Sequence, residues 1–213
     1  MRSRWTPRTA EPGGSVARSE RQVALALVAS LEAGHARIKQ AASDEPLYAR
    51  MGTTATLAAI AHGALLCAQI GDSRAYVMRG GRLTQVTEDQ TMAELLRKTG
   101  NLLPEQISAI VGPNVILQAL GSSSRLEVAL TRTPLANGDR VLLYSDGLYG
   151  PVDDEQIAEI LRTTPDLAQA CGVLVKRANA RGGPHNISCV LFHVSDDTLP
   201  PATSPPAPTQ IAQ

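Results

Sequence analysis

The chain has 213 residues and balances 20 Lys plus Arg against 20 Asp plus Glu, so it suits one domain with a real core and offers no basic field to a nucleic-acid backbone. Its one Phe, four Tyr and one Trp are scattered, which excludes a base-stacking platform, and no run approaches the ~18 apolar residues of a membrane helix. The three cysteines, Cys67, Cys171 and Cys189, sit far apart in apolar runs and read as buried core thiols; the Arg-rich start has no apolar secretory core, so the expected location is the cytoplasm.

Residues 1–18 mix Arg, Pro, Gly, Ser and Thr without periodicity, and 196–213 carry PPATSPPAPTQ; both read as disordered tails around a domain at 19–195. Val23, Ala24, Leu27, Val28, Leu31 and Ile38 predict an amphipathic helix over 20–42, ended by SDEPLY. From 53 to 86 the pattern is that of strands. TATLAAIAH and ALLCAQI flank a glycine-containing hairpin, and RAYVMR and RLTQV flank Gly80-Gly81, a good two-residue turn. MAELLRKTG predicts a helix ending on Gly100, and LPEQISAIV a second. LEVALTR and DRVLLYS resume the strands, the latter entered through Asn137-Gly138. EQIAEILR and DLAQACGVLVKRANAR read as helices, and NISCVLFHV as a last strand. Antiparallel-looking strands with helices before, between and after them predict the α+β class.

Three strings carry the candidate chemistry: GDSRAY at 71–76, SDGLYG at 145–150 and GGPHNI at 182–187. The apolar run DRVLLYS delivers Asp146 and Gly147 to the end of a buried strand, where a carboxylate can ligate Mg²⁺ or Mn²⁺. Spacing alone weighs that role evenly against a turn cap before the next helix. Asp72 sits in a tight turn between strands, and turn chemistry by itself explains Gly-Asp-Ser. Arg74 reads as a solvated strand residue. His185 lies in a Gly-Gly-Pro loop; loop histidines are usually just exposed, and imidazole suits Mn²⁺, Zn²⁺ or Fe better than Mg²⁺. No role attaches to His35, His62 or His193. Ser73 and Ser145 have no G-x-S-x-G elbow or His/Asp arrangement, and no phosphate-binding glycine string is present.

Five segments in order, MGTTATLAAI (51–60), GDSRAYVMRGGRLTQVTEDQT (71–91), NVILQALG (114–121), GDRVLLYSDGL (138–148) and ARGGPHNISCVLF (180–192), resemble the bacterial metal-dependent protein phosphatases of PPM type, protein phosphatase 2C-like, over about residues 20–194. The resemblance implies an antiparallel two-sheet β-sandwich flanked by helices (α-β-β-α), with the family's N-terminal strands missing and a mobile flap at about 88–113. It implies hydrolysis of phosphoserine and phosphothreonine by water bridged between two Mn²⁺ or Mg²⁺ ions, with phosphorylated proteins or a serine/threonine kinase as partners and a monomeric state. Carried over residue by residue, Asp146 resembles a ligand of the binuclear centre and Asp72 the carboxylate of an accessory third metal. Gly147 and Asn186 resemble supporting residues, Asn186 in the loop of His185.

Three departures from the family pattern weaken that centre. The opening segment with its N-E-D aspartate and nearby arginine has no counterpart. No D-G-x-G-G occurs; if Gly13-Gly14 are its remnant, the bridging aspartate falls on Ala10. His185 stands where the family's G-G-x-D-N has aspartate. A frameshift or wrong start codon would account for the first two departures, and His185 needs another explanation. Two dications ~4 Å apart repel by about 4 kcal/mol even in water, four times the unit-charge figure, which one carboxylate does not offset; a single Mn²⁺ between Asp146, Asp72 and His185 is the metal site expected instead of the usual ion pair. The sequence therefore leaves three expectations: a phosphatase with weakened metal binding, a pseudophosphatase acting as a binding module, or a truncated fragment.

Overall fold

The computed structural model describes residues 19–100, 102–112, 115–122, 124–183, 185–201 and 203–211; the expected N-terminal tail at 1–18 lies outside them. Helix α1 (Glu20–Asp44) starts at a capping box in which the Ser19 hydroxyl accepts from the Gln22 amide and the Gln22 side chain accepts from the Ser19 amide. A single 3₁₀ turn at Pro46–Tyr48 ends it, where the proline in SDEPLY forbids continuation. The strands β1 (Ala55–Ala61) and β2 (Ala64–Ile70) form one hairpin, and β3 (Arg74–Arg79) and β4 (Arg82–Gln85) form another. The second closes on Gly80 and Gly81, both at positive φ, as a primed turn requires.

Helices α2 (Met92–Thr99) and α3 (Pro104–Ile110) follow. Next come β5 (Ala129–Pro134), β6 (Arg140–Tyr144), a single-turn α4 (Asp146–Tyr149), α5 (Asp154–Thr163), α6 (Leu167–Ala180), β7 (Cys189–His193) and β8 (Thr209–Gln210). Side-chain caps from Thr91, Asp153 and Asp166 begin α2, α5 and α6.

Among the described residues the strands make two antiparallel four-stranded sheets, ordered β1-β2-β5-β8 and β4-β3-β6-β7. The two-residue period of a strand sorts its side chains between layers. Leu65 and Cys67 of β2, Ala75 and Val77 of β3 and Val141 of β6 fill the space between the sheets. Ala68 and Ile70 turn the other way, onto Ala24 and Leu31 of α1. Tyr76, Met78, Leu142 and Tyr144 face Ile157, Leu161 and Leu174 of α5 and α6. Both faces of β2, β3 and β6 are thus buried, and their sequences read as apolar runs without alternation. The architecture is the expected α-β-β-α sandwich.

Two expectations are corrected. The segment 196–213 does not behave as a disordered tail over its described part. The Asp196 amide donates to Asn137 Oδ1 (3.1 Å), the Asn137 amide bonds the Pro200 carbonyl (3.2 Å), and Arg79 Nη1 donates to that of Ser204 (3.1 Å). It then pairs Thr209 and Gln210 with Arg132 and Thr131 as β8. The outer edge of β5 presents backbone groups that need partners, and this strap satisfies some of them. The cysteines also divide: Cys67 is buried, but Cys171 and Cys189 are partly exposed.

Candidate active site

The turn joining β2 to β3 holds Asp72. Gly71 has φ +96°, and a Cβ there would fall 2.3 Å from Thr54 Cγ2, so glycine is required on both counts. The turn is latched from two sides. The Gln90 side chain accepts from the Gly71 amide (2.7 Å) while the Gln90 amide donates to the Gly71 carbonyl (3.0 Å). Gln69 Nε2 donates to the carbonyls of Gly71 (3.1 Å) and Ser73 (2.9 Å).

Asp72 is 4% exposed, and the Tyr149 hydroxyl donates to its Oδ2 at 2.9 Å. Burial raises its pKa above the usual carboxylate value; the Tyr149 bond opposes this, and the charges of Asp146 and Asp89 add to it. Tyr149 is pushed up in turn by burial and by Asp72. Its ring carries the Arg74 guanidinium, whose Cζ sits 3.7 Å from the ring centroid.

Arg74 is not the solvated residue expected from its strand position. Its Nε contacts both carboxylate oxygens of Asp89 (3.0 Å each) and Nη2 donates to Oδ2 (2.7 Å). Burial opposes its charge, but Asp89 outweighs that and holds the guanidinium above its usual pKa. Arg74, Asp89 and Tyr149 line a cavity of about 330 Å³ together with Glu94 and Arg97 of α2 and Ile107 of α3.

Asp146 opens α4 directly after β6. Its Oδ2 lies 2.9 Å from His185 Nδ1, with the imidazole 46% and the carboxylate 29% exposed. Gly147 is needed because a Cβ would meet the Asn186 carbonyl oxygen at 2.6 Å and Ile187 Cγ1 at 3.0 Å. Ser145 laces the two loops together: its amide donates to the Ser188 carbonyl (3.0 Å), its hydroxyl to the Asn186 carbonyl (3.2 Å), and it accepts from the Ser188 amide (3.0 Å). Asn186 therefore meets the SDG turn through its backbone carbonyl, with its side chain at the surface.

The fold thus brings Asp72, Asp146 and His185 to one end of the sandwich. Asp146 acts on Asp72 through its charge, and His185 pairs with Asp146. Among the described residues no three His, Cys, Asp or Glu side chains converge so as to hold a metal ion. Among the described residues, two carboxylates, one engaged by an imidazole and the other by a tyrosine, do not by themselves fill a centre for two divalent ions. Asp89, Tyr149 and Gln90 all lie inside strings visible in the sequence, yet nothing local to those strings marks them. Their partners are 15 to 77 positions away.

The sequence matches the protein phosphatase 2C family over residues 8–191. It is 37% identical over 186 residues to the serine/threonine protein phosphatase PstP of Mycobacterium tuberculosis, covering 87% of this chain and 34% of PstP. It is 34% identical over 167 residues to protein phosphatase PhpP of Streptococcus pneumoniae, covering 78% of this chain and 68% of PhpP. The chain thus spans about a third of the length of the mycobacterial relative. The crystal structure of the PstP catalytic domain in complex with two manganese ions superposes with a TM-score of 0.68 at 37% identity, covering 87% of this chain and 74% of that one. Ordered strings, sandwich architecture and relatives agree: the chain belongs to the protein phosphatase 2C family.

Proposed function

We propose that the protein is a serine/threonine protein phosphatase that hydrolyses phosphoserine and phosphothreonine in proteins. The observation that carries this reading is the convergence of the GDS and SDG turns, joined where Tyr149 of the SDGLYG string donates to Asp72 at 2.9 Å. The names of the curated relatives support the reaction class. Mn²⁺ or Mg²⁺ is the cofactor proposed, on the strength of the manganese-bound PstP domain, and Asp146 and Asp72 are the side chains proposed to face it. Metal binding is proposed to be weakened, because the described residues do not complete a two-ion centre. Phosphorylated proteins are the proposed substrates, with a serine/threonine kinase as the proposed opposing partner. A cytoplasmic monomer is the proposed state; among the described residues no helix is long and apolar enough to cross a membrane.

One observation favours a second reading, a pseudophosphatase that binds phosphoproteins without turnover: the Asp146 carboxylate is already paired with His185. A phosphothreonine peptide assayed with Mn²⁺ separates the two. Turnover abolished by Asp146→Asn establishes the enzyme. Background hydrolysis with retained peptide binding by calorimetry establishes the module, and neither turnover nor binding sinks both.

A further inference from the structure

Cys171 lies on α6 and Cys189 opens β7, 18 positions further on. The end of α6 and the glycine loop separate them in sequence, and the fold returns them to contact. The Cys189 thiol points at the Cys171 carbonyl oxygen, 4.0 Å from Sγ, and both thiols are free and partly exposed, unlike Cys67. Burial, and then the neighbouring Cys171 thiol, push Cys189 up to about 12. Burial does the same to Cys67. Attack on an oxidant needs a thiolate, so Cys189, held protonated by burial, is assigned the resolving step and Cys171 the first attack.

We propose that Cys171 and Cys189 form an oxidisable dithiol, a modification site at which hydrogen peroxide joins α6 to β7 by a disulfide. In the first step the Cys171 thiolate attacks one peroxide oxygen. The S–O bond forms, the O–O bond breaks, and the departing hydroxide takes a proton to become water. In the second, the Cys189 thiol gives up its proton, its sulfur attacks Cys171 sulfur, and the S–O electrons leave as hydroxide, again protonated to water. Two thiols and one peroxide give one disulfide and two waters. The cross-link closes a loop around Gly182, Gly183, His185 and Asn186, so oxidation restrains the segment that carries His185 to Asp146. The site is independent of the phosphatase reading, because its readout is covalent.

The test treats the full, folded chain with dilute hydrogen peroxide, blocks remaining thiols by alkylation and maps the peptides by mass spectrometry. The expected product has lost about 2 Da, for two hydrogens, links the peptides of Cys171 and Cys189, and leaves Cys67 alkylatable after unfolding. Its melting temperature should rise by roughly 5–10 °C over the reduced protein. Cys67→Ser should give the same product, and Cys189→Ser should leave Cys171 as a sulfenic acid that dimedone traps. The proposal is overturned if both thiols remain alkylatable after peroxide, if Cys171 proceeds to sulfinic acid in the wild-type chain, or if the link forms only in urea.

Discussion

Two Gly-Asp pairs, Gly71-Asp72 and Gly138-Asp139, look alike in the sequence and do opposite things in the structure. Asp139 is fully buried and fully partnered. Arg79 grips it through Nε (2.8 Å) and Nη2 (2.7 Å), and the Ala136 amide adds a third bond (2.8 Å). Asp72 is nearly as buried, yet among the described residues no cation meets it; one tyrosine hydroxyl and its own backbone serve it, and burial raises its pKa. A buried carboxylate gripped by a guanidinium and a backbone amide is part of the scaffold. One left with unused acceptors, next to a second carboxylate, has the character of a binding group.

The largest expected effect follows from that contrast. Asp139→Ala should cost about 3–5 kcal/mol in urea unfolding, because it strands the Arg79 guanidinium, whereas Asp72→Asn should change stability by less than about 1 kcal/mol. Equal losses at the two positions would break the comparison. A second measurement sharpens it. His185→Asp places a further carboxylate beside Asp146, so a given Mn²⁺ concentration should stabilise that variant by about 1–3 kcal/mol more than the parent chain. A parent melting curve that already shifts by as much would refute the claim that the described side chains do not complete the centre.

Tyr149→Phe comes next. It removes the hydroxyl from Asp72 and leaves that buried carboxylate with only its own backbone, for an expected loss of about 1–2 kcal/mol near neutral pH. No loss would mean that Asp72 finds water instead. The smallest effect concerns the Glu20–Arg132 pair at the start of α1, where Nε and Nη2 reach the carboxylate at 2.7 and 2.9 Å. Bonding to Arg132 lowers the Glu20 pKa below 4.5. Its contribution is therefore complete above that ordinary value and lost as pH falls through the lower, folded one. Glu20→Gln should remove about 0.5 kcal/mol at neutral pH and flatten the acid side of the stability curve; an unchanged acid limb would count against the pair.

Much of the fold was legible because its determinants are local. The twin glycines at 80 and 81, Gly100 at the end of α2, and the apolar runs of β2 and β6 announce their elements within a few residues. The C-terminal strap was not legible. Its Pro-rich composition says only that it cannot form a helix or a central strand, and its place is decided by the open edge of β5. The candidate site divides in the same way. Asp72, Asp146, Gly147 and His185 sit in strings that stand out, but the grip of Asp89 on Arg74, the bond from Tyr149 to Asp72 and the meeting of Cys171 with Cys189 depend on tertiary contact. The sequence carries the side chains of that network without carrying their pairing.

The strap that crosses from β7 to β5 also has a mechanical meaning. Beyond Val194 it is held by bonds from Arg79 and Asn137, by Leu199 and Ile211 packed against the core, by the Ile211 amide on the Leu130 carbonyl and by two paired residues. A pulling force applied near Gln210 loads those few bonds one after another, not together. The strap should peel away at low tension, freeing roughly 50 Å of contour length at ~3.5 Å per residue, before the central strands β2, β3 and β6 yield. An optical trap would register that release as a small, reversible step ahead of the main rupture.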